Sequence, residues 1–302
     1  MAAVKSPELA PRDKEELLLN SVWNGYALRC YSWYPSSNPA RAMVYIAHGV
    51  TEHMGRYDEF AILLADSGLC VFGHDHVGHG HSDGERVHVE NIDTYVQDVI
   101  NHVELMKSKY PHLPYILMGH SMGGLIVAHA TILRGDMFAG LVLSAAAVRP
   151  VVVSPVTAAI VNFGAKSLAF VMPRVPLFPW KTSNITSLPE EVKCYEEDSL
   201  THCGMMKPAW TASMMDSMSL LSQSLHKITL PVLLIHGARD PVVSYSSSEF
   251  VYKNLSSKDK TFLRFDGFHD VLHDVEQEKA KLAIRDWIRK HLALADAIDH
   301  SC

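Results

Sequence analysis

The sequence predicts an α/β fold, a mostly parallel central sheet covered by helices on both faces. Three observations point there. Short apolar strands alternate with amphipathic helical stretches along most of the 302 residues. The strands are apolar throughout rather than on alternate residues, as expected when both faces of a sheet are covered. One strand runs into a helix through Gly119-His120-Ser121-Met122-Gly123, a tight turn flanked by glycines.

In chain order, Met1 to Asn20 is polar and mixed in charge, with no apolar core of a secretory signal. Asn24-Gly25, between Ser21–Asn24 and Tyr26–Tyr34, reads as a hairpin. Met43 to Ala47 is a short buried strand ending in His48-Gly49. Tyr57 to Asp66 reads as a helix and Leu69 to Gly73 as a strand. Asp93 to Tyr110 is helical, because Val96, Val99, Ile100, Val103 and Met106 recur at spacings of three and four. Strand Tyr115 to Met118, helix Met122 to Arg134 and strand Leu141 to Ser144 follow. Strand Pro231 to His236, helix Ser247 to Asn254, strand Thr261 to Phe265 and helix Val275 to Leu294 close the chain.

The alternation fails from about Pro150 to Leu225. Pro173, Pro176 and Pro179 lie close together there, and Met172, Met205, Met206, Met214, Met215 and Met218 cluster. The expected organisation is a core of residues 1–149 and 226–302, with a helical cap at 150–225 inserted between two strands.

Composition is that of a soluble globular protein, 48% apolar and 20% charged. The net charge of −6 argues against a nucleic-acid partner, which demands a basic face. No apolar run approaches the ~20 residues of a membrane-spanning helix. Cys30, Cys70, Cys194, Cys203 and Cys302 are odd in number and irregularly spaced, which fits reduced thiols. Between Asp136 and Glu190 there is no acidic residue, but Arg149, Lys166, Arg174 and Lys181 are present. Two readings stand: a buried helical cap, or a lid whose apolar face meets a membrane surface or an acyl chain. Val156 to Met172 is apolar on nearly all helix faces, so it is either buried or dipped in lipid.

Ser121 reads as a nucleophile lifted above the sheet, against the plainer role of a helix N-cap. A serine needs a base oriented by a carboxylate. The expected order is Ser, acid, His. Asp240 follows strand Pro231 to His236, and His269 follows strand Thr261 to Phe265. The plainer reading of Asp240 is an exposed turn aspartate. His273 competes with His269. Asp266 and Asp270 lie on the histidine's own loop and are set aside as triad acids. The oxyanion hole should use the backbone N–H groups of Met122 and Val50. His74, His76, His79 and His81 invite a zinc reading, but no partnering Cys or distal His-Glu motif accompanies them. A tight structural loop under the site fits better, and neither metal nor cofactor is expected.

His48-Gly49, Glu52-His53, Gly55-Arg56-Tyr57, the run His74-Asp75-His76-Val77-Gly78-His79-Gly80 and Gly119-His120-Ser121-Met122-Gly123-Gly124 resemble the monoacylglycerol lipase family. The resemblance extends from about Tyr26 to Trp287 and is closest before residue 145. It implies an α/β hydrolase fold, with a cap that docks on membranes and leads to an acyl tunnel. It implies the triad Ser121, Asp240 and His269, with Val50 and Met122 as the oxyanion hole. Glu52, Arg56, Tyr195 and His273 match or adjoin positions that read the glycerol headgroup, and Cys203 lies near a cap cysteine of the family. Val50-Thr51 stands where the family has an alanine-glycine pair. One residue, not two, separates Gly267 from His269, so His273 stays in contention. The cap from Val151 on is poorly matched, and Val242 or Val243 replaces a family thiol. The expected function is a serine esterase cleaving monoacylglycerols to fatty acid and glycerol through an acyl-enzyme. A lysophospholipase or general carboxylesterase, or a catalytically silent binding protein, are the alternatives. The expected setting is cytoplasmic and peripherally membrane-associated, and the sequence also allows a homodimer.

Overall fold

A computed structural model describes residues 14–36, 39–149 and 155–299. The expectations for residues 1–13, for the start of the insertion at 150–154 and for Cys302 lie outside them. The sheet has eight strands: β1 (Lys14–Asn20), β2 (Ala27–Trp33), β3 (Ala42–Ala47), β4 (Leu69–His74), β5 (Tyr115–His120), β6 (Gly140–Ser144), β7 (Val232–Gly237) and β8 (Lys260–Phe265). Their spatial order is β1-β2-β4-β3-β5-β6-β7-β8. From β4 to β8 every pairing is parallel, while β1 and β2 add an antiparallel ribbon at one edge. The α/β expectation therefore holds, and this is the α/β hydrolase arrangement.

Helices α1 (Asp58–Ala65), α2 (Asp93–Lys109) and α3 (Met122–Arg134) fill the first crossovers. The segment between β6 and β7 contributes α4 (Pro155–Val171), α5 (Pro189–Glu197) and α6 (Pro208–Ser224), and α7 (Tyr245–Asn254) and α8 (Gln277–Asp299) complete the chain. Strand β3 shows why both faces need cover. Met43, Tyr45 and Ala47 pack with residues of α2 and α3, while Ala42, Val44 and Ile46 pack with residues of α1 and α8. All six are fully buried, which explains their unbroken apolar run.

The hairpin is present, but its first strand is Lys14–Asn20, not Ser21–Asn24. Residues 21–24 belong to the turn because Asp98 holds them there. The Asp98 carboxylate accepts from the Ser21 hydroxyl at 2.7 Å and the Val22 N–H at 2.8 Å. Asn24 and Gly25 take the left-handed conformations that the dipeptide favours. The exposure of α4 also differs from a buried cap: Phe163 is 76% and Phe170 91% exposed.

The histidine-rich run after β4 is a tight buried loop. Asp75 accepts from the N–H groups of Met54 and His81, both at 2.8 Å, and from the Tyr31 hydroxyl at 3.0 Å. Gly80 sits at φ +48°, and a Cβ there would fall 2.1 Å from the Asp75 carboxylate. Ligand-type atoms of Cys30, His74 and His102 lie within 4.8 Å of one another. Two of the three are linked directly by a hydrogen bond. His74 Nδ1 lies 3.1 Å from both His102 Nδ1 and the Tyr45 hydroxyl. Burial, with Asp75 adding to it, pushes the Cys30 thiol up to about 12, so it stays protonated. Burial lowers His74, His76 and His79 far below the ordinary imidazole value and His102 to about 3.

These histidines are neutral in the folded chain and take up protons on unfolding below pH ~6.5. Acidification from pH 6.5 to 4.5 should therefore lower the urea midpoint steadily. Buried Asp98, raised to about 6, and His269 and His273, raised against the effect of burial by their carboxylate partners, pull the other way, but they are fewer than the lowered histidines. A flat urea midpoint across that window would contradict this account.

Candidate active site

Ser121 lies between β5 and α3 at φ +52° and ψ −115°, a conformation that costs a non-glycine residue energy. The surroundings hold it there. Its N–H donates to the Ser144 carbonyl at 2.9 Å, and its own carbonyl accepts from Ala147 at 3.0 Å. A Cβ on Gly123 would fall 2.1 Å from the Ala47 carbonyl oxygen, so only glycine lets α3 approach β3 this closely. The Ser121 side chain makes no helix-capping bond. Its Oγ lies 2.8 Å from His269 Nε2 instead, which disposes of the N-cap reading.

His269 Nδ1 lies 2.7 Å from Asp240 Oδ2. An ionised carboxylate can only accept, so Nδ1 carries the hydrogen and Nε2 accepts from the serine hydroxyl. His273 is otherwise engaged. Its Nδ1 lies 2.7 Å from Asp270 Oδ2, and its Nε2 lies 3.0 Å from the Arg56 carbonyl oxygen. The shortened spacing before His269 is absorbed by Gly267 at φ +137°. Asp266 pairs with Arg239 at 2.9 Å, away from the serine.

Asp240 is buried and surrounded by donors. Its Oδ1 accepts from Val242 at 2.7 Å and Val243 at 2.9 Å, and its Oδ2 also lies 3.0 Å from His236 Nε2. Burial opposes its charge, but His269 and the hydrogen bonds from His236 and His269 hold the carboxyl well below the usual carboxylate range. Burial likewise opposes an imidazolium at His269, yet Asp240 outweighs it and raises His269 above its ordinary value.

Met122 is the first residue of α3, where a backbone N–H has no intrahelical partner. Val50 follows β3 and lines a cavity together with Ser121. Its neighbour Thr51 sits at φ +68°, unusual for a β-branched residue. The Tyr195 hydroxyl of α5 pins it, lying 2.6 Å from Thr51 Oγ1 and donating to the Thr51 carbonyl at 2.7 Å. Glu52 accepts from the Gly49 N–H and from the Tyr57 hydroxyl at 2.8 Å.

The four expected headgroup residues split into two layers. Glu52 and Tyr195 line a small recess with Ser121 and His269. Arg56 stands behind it, 3.5 Å from Glu52 and 3.7 Å from Asp270, with its guanidinium over the Tyr195 ring. Both His273 nitrogens are spent on protein groups, so neither is open to a ligand. A second cavity of about 180 Å³ opens on Ser121 and is walled by Trp180, Trp210, Met214, Met218 and Val243. Sequence reasoning did not find Trp180 or Trp210, nor that Tyr195 anchors Thr51, since these depend on how the segment between β6 and β7 folds. It also passed over His236, although a lone histidine in an apolar strand was a visible signal. Among the described residues, the one three-residue set with metal-ligand reach is Cys30, His74 and His102, not a set around Ser121.

A family model described as serine aminopeptidase, S33, matches residues 38–276. The chain is 33% identical over 296 residues to human monoglyceride lipase, covering 96% of this chain and 95% of that one. It is 32% identical to the monoacylglycerol lipase of Mycolicibacterium smegmatis, covering 86% and 92%. The crystal structure of Paleococcus ferrophilus monoacylglycerol lipase superposes with a TM-score of 0.77 at 29% identity, covering 87% of this chain and 99% of that one. With the family model spanning most of the sheet and its loops, this chain belongs to the S33 serine aminopeptidase family of hydrolases.

Proposed function

We propose that the chain is a serine esterase that cleaves monoacylglycerols to fatty acid and glycerol. The observation that carries this is the serine's position between two unlike spaces. An apolar cavity suited to an acyl chain and a smaller recess bearing Glu52 and Tyr195 both border it. An ester carbonyl over Ser121 would place its chain in the first and its small polar alcohol in the second.

Ser121 Oγ attacks the carbonyl carbon as His269 Nε2 takes its proton, and Asp240 stabilises the imidazolium. The N–H groups of Val50 and Met122 receive the oxyanion. His269 then protonates the departing glycerol oxygen. Water, deprotonated by His269, cleaves the acyl-enzyme and releases the fatty acid.

In this reading residues 150–225 form a cap that also meets the membrane. The support is the run of exposed apolar side chains Ile160, Phe163, Phe170 and Val171 on α4. The cations contribute less than their number suggests. Lys166 pairs with Asp216 at 2.8 Å and Arg174 lies 3.8 Å from Glu85. No described helix is long and apolar enough to cross a membrane.

Ser121→Ala should lower turnover of a monoacylglycerol by about 10⁴-fold or more. The thermal midpoint should barely move, and labelling by a fluorophosphonate should vanish. Substantial turnover in that variant would refute the assignment. The acid limb of kcat/KM should have its midpoint above 6.5, because His269 must be neutral and Asp240 raises its pKa. Asp240→Asn should cost roughly 10⁴-fold in kcat and move that limb to lower pH. An unmoved limb would separate Asp240 from the base. Phe163→Ser with Phe170→Ser should reduce turnover of vesicle-borne substrate by about tenfold or more, since each buried ring is worth ~2 kcal/mol. Turnover of a soluble p-nitrophenyl ester should be unchanged. Equal vesicle activity would place the membrane contact elsewhere.

A further inference from the structure

The triad acid is held by more than its loop. His236, near the end of β7, is fully buried in a strand otherwise built of apolar residues. A buried imidazole is costly unless its polar atoms are satisfied. Here both nitrogens are. Nε2 lies 3.0 Å from the Val243 carbonyl oxygen and 3.0 Å from Asp240 Oδ2. Nδ1 lies 2.6 Å from the Ser248 hydroxyl, itself buried on α7.

The hydrogen positions follow. A carbonyl and a carboxylate only accept, so Nε2 carries the hydrogen. In the neutral ring Nδ1 then accepts, and the Ser248 hydroxyl donates to it. The ring thereby joins three pieces of chain: the tip of β7, the loop bearing Asp240 and Val243, and the first turns of α7. Its N–H points to the same carboxylate oxygen that receives His269. With Val242 and Val243 on the other oxygen, Asp240 has one orientation that satisfies every partner.

We propose that His236 is a positioning residue for the reaction, which fixes the Asp240 carboxylate so that His269 stays in line with Ser121. The inference rests on the triad reading above. It concerns a side chain that touches neither substrate nor reacting atoms. A misplacement of about 1 Å in such a group is enough to cost ~10²-fold in rate.

The test is a double-mutant cycle with Asp240→Asn, read by kcat, KM and the rate of fluorophosphonate labelling. His236→Leu should lower kcat and labelling by roughly 10- to 100-fold, with KM changed by less than about twofold. His236→Gln, whose amide can donate to Asp240 and accept from Ser248, should recover activity to within about threefold of the parent. In the Asp240→Asn background, His236→Leu should have little further effect, because the group it acts through is gone. A purely structural role would give the same loss in both backgrounds, and that result overturns the proposal. So does a parent-like kcat in His236→Leu. If His236→Leu does not fold, Ser248→Ala serves instead: it removes the donor to Nδ1 and should slow labelling several-fold, and an unchanged rate is the contrary result. Absence of labelling in the parent protein would bring down the triad reading itself. Normal labelling in the parent with unaffected variants would bring down only the role of His236.

Discussion

The closeness of three backbones at the carboxyl end of the sheet governs everything around Ser121. β3 and α3 meet so tightly that Gly123 has no room for a side chain against Ala47. The turn that results forces Ser121 into a left-handed conformation, and the carbonyl of Ser144 and the N–H of Ala147 keep it there. The strain aims the hydroxyl away from its own helix and toward His269. The same crowding recurs at Gly237, where a Cβ would fall 1.8 Å from the Phe268 carbonyl oxygen. That second approach sets the acid loop against the histidine loop. Two glycine contacts, distant in sequence, thus determine where Asp240, His269 and Ser121 meet.

Near the serine, Arg56, Glu52, Asp270 and His273 form one connected buried group. Arg56 lies between Glu52 and Asp270 and covers Tyr195. Glu52 holds the Gly49 amide, and Asp270 holds His273, whose far nitrogen returns to the Arg56 carbonyl. Buried ions of this kind are costly singly and tolerable in a closed set. The set ties the loop after β3 to the loop after β8.

Much of this was legible in the sequence, and for identifiable reasons. Helix Met122–Arg134 was read to the residue because the elbow marks its start and the apolar pattern its course. Asp240 and His269, which the structure brings beside Ser121, could be picked out because strand tips in such a sheet are followed by loops that face one crevice. The first strand could not, because the side chain that pins its turn, Asp98, is distant in sequence. The choice between His269 and His273 could not be read from spacing. It depends on Gly267 taking a left-handed conformation and on Asp270 occupying His273. The insertion gave least, since its apolar residues serve a cavity wall at Trp210 and an exposed face at Phe170, which a one-dimensional pattern does not separate.

The bond between Tyr195 and Thr51 has a further consequence. Thr51, a β-branched residue in a left-handed conformation, is held by a hydroxyl from α5, between β6 and β7. The segment between β6 and β7 is therefore structurally coupled to the loop after β3. Replacing α5 with a helix that lacks a tyrosine at position 195 would remove this restraint on Thr51. Grafting the loop alone would strip Tyr195 of its partner. The two stretches, 144 residues apart, are thus one structural unit at this contact.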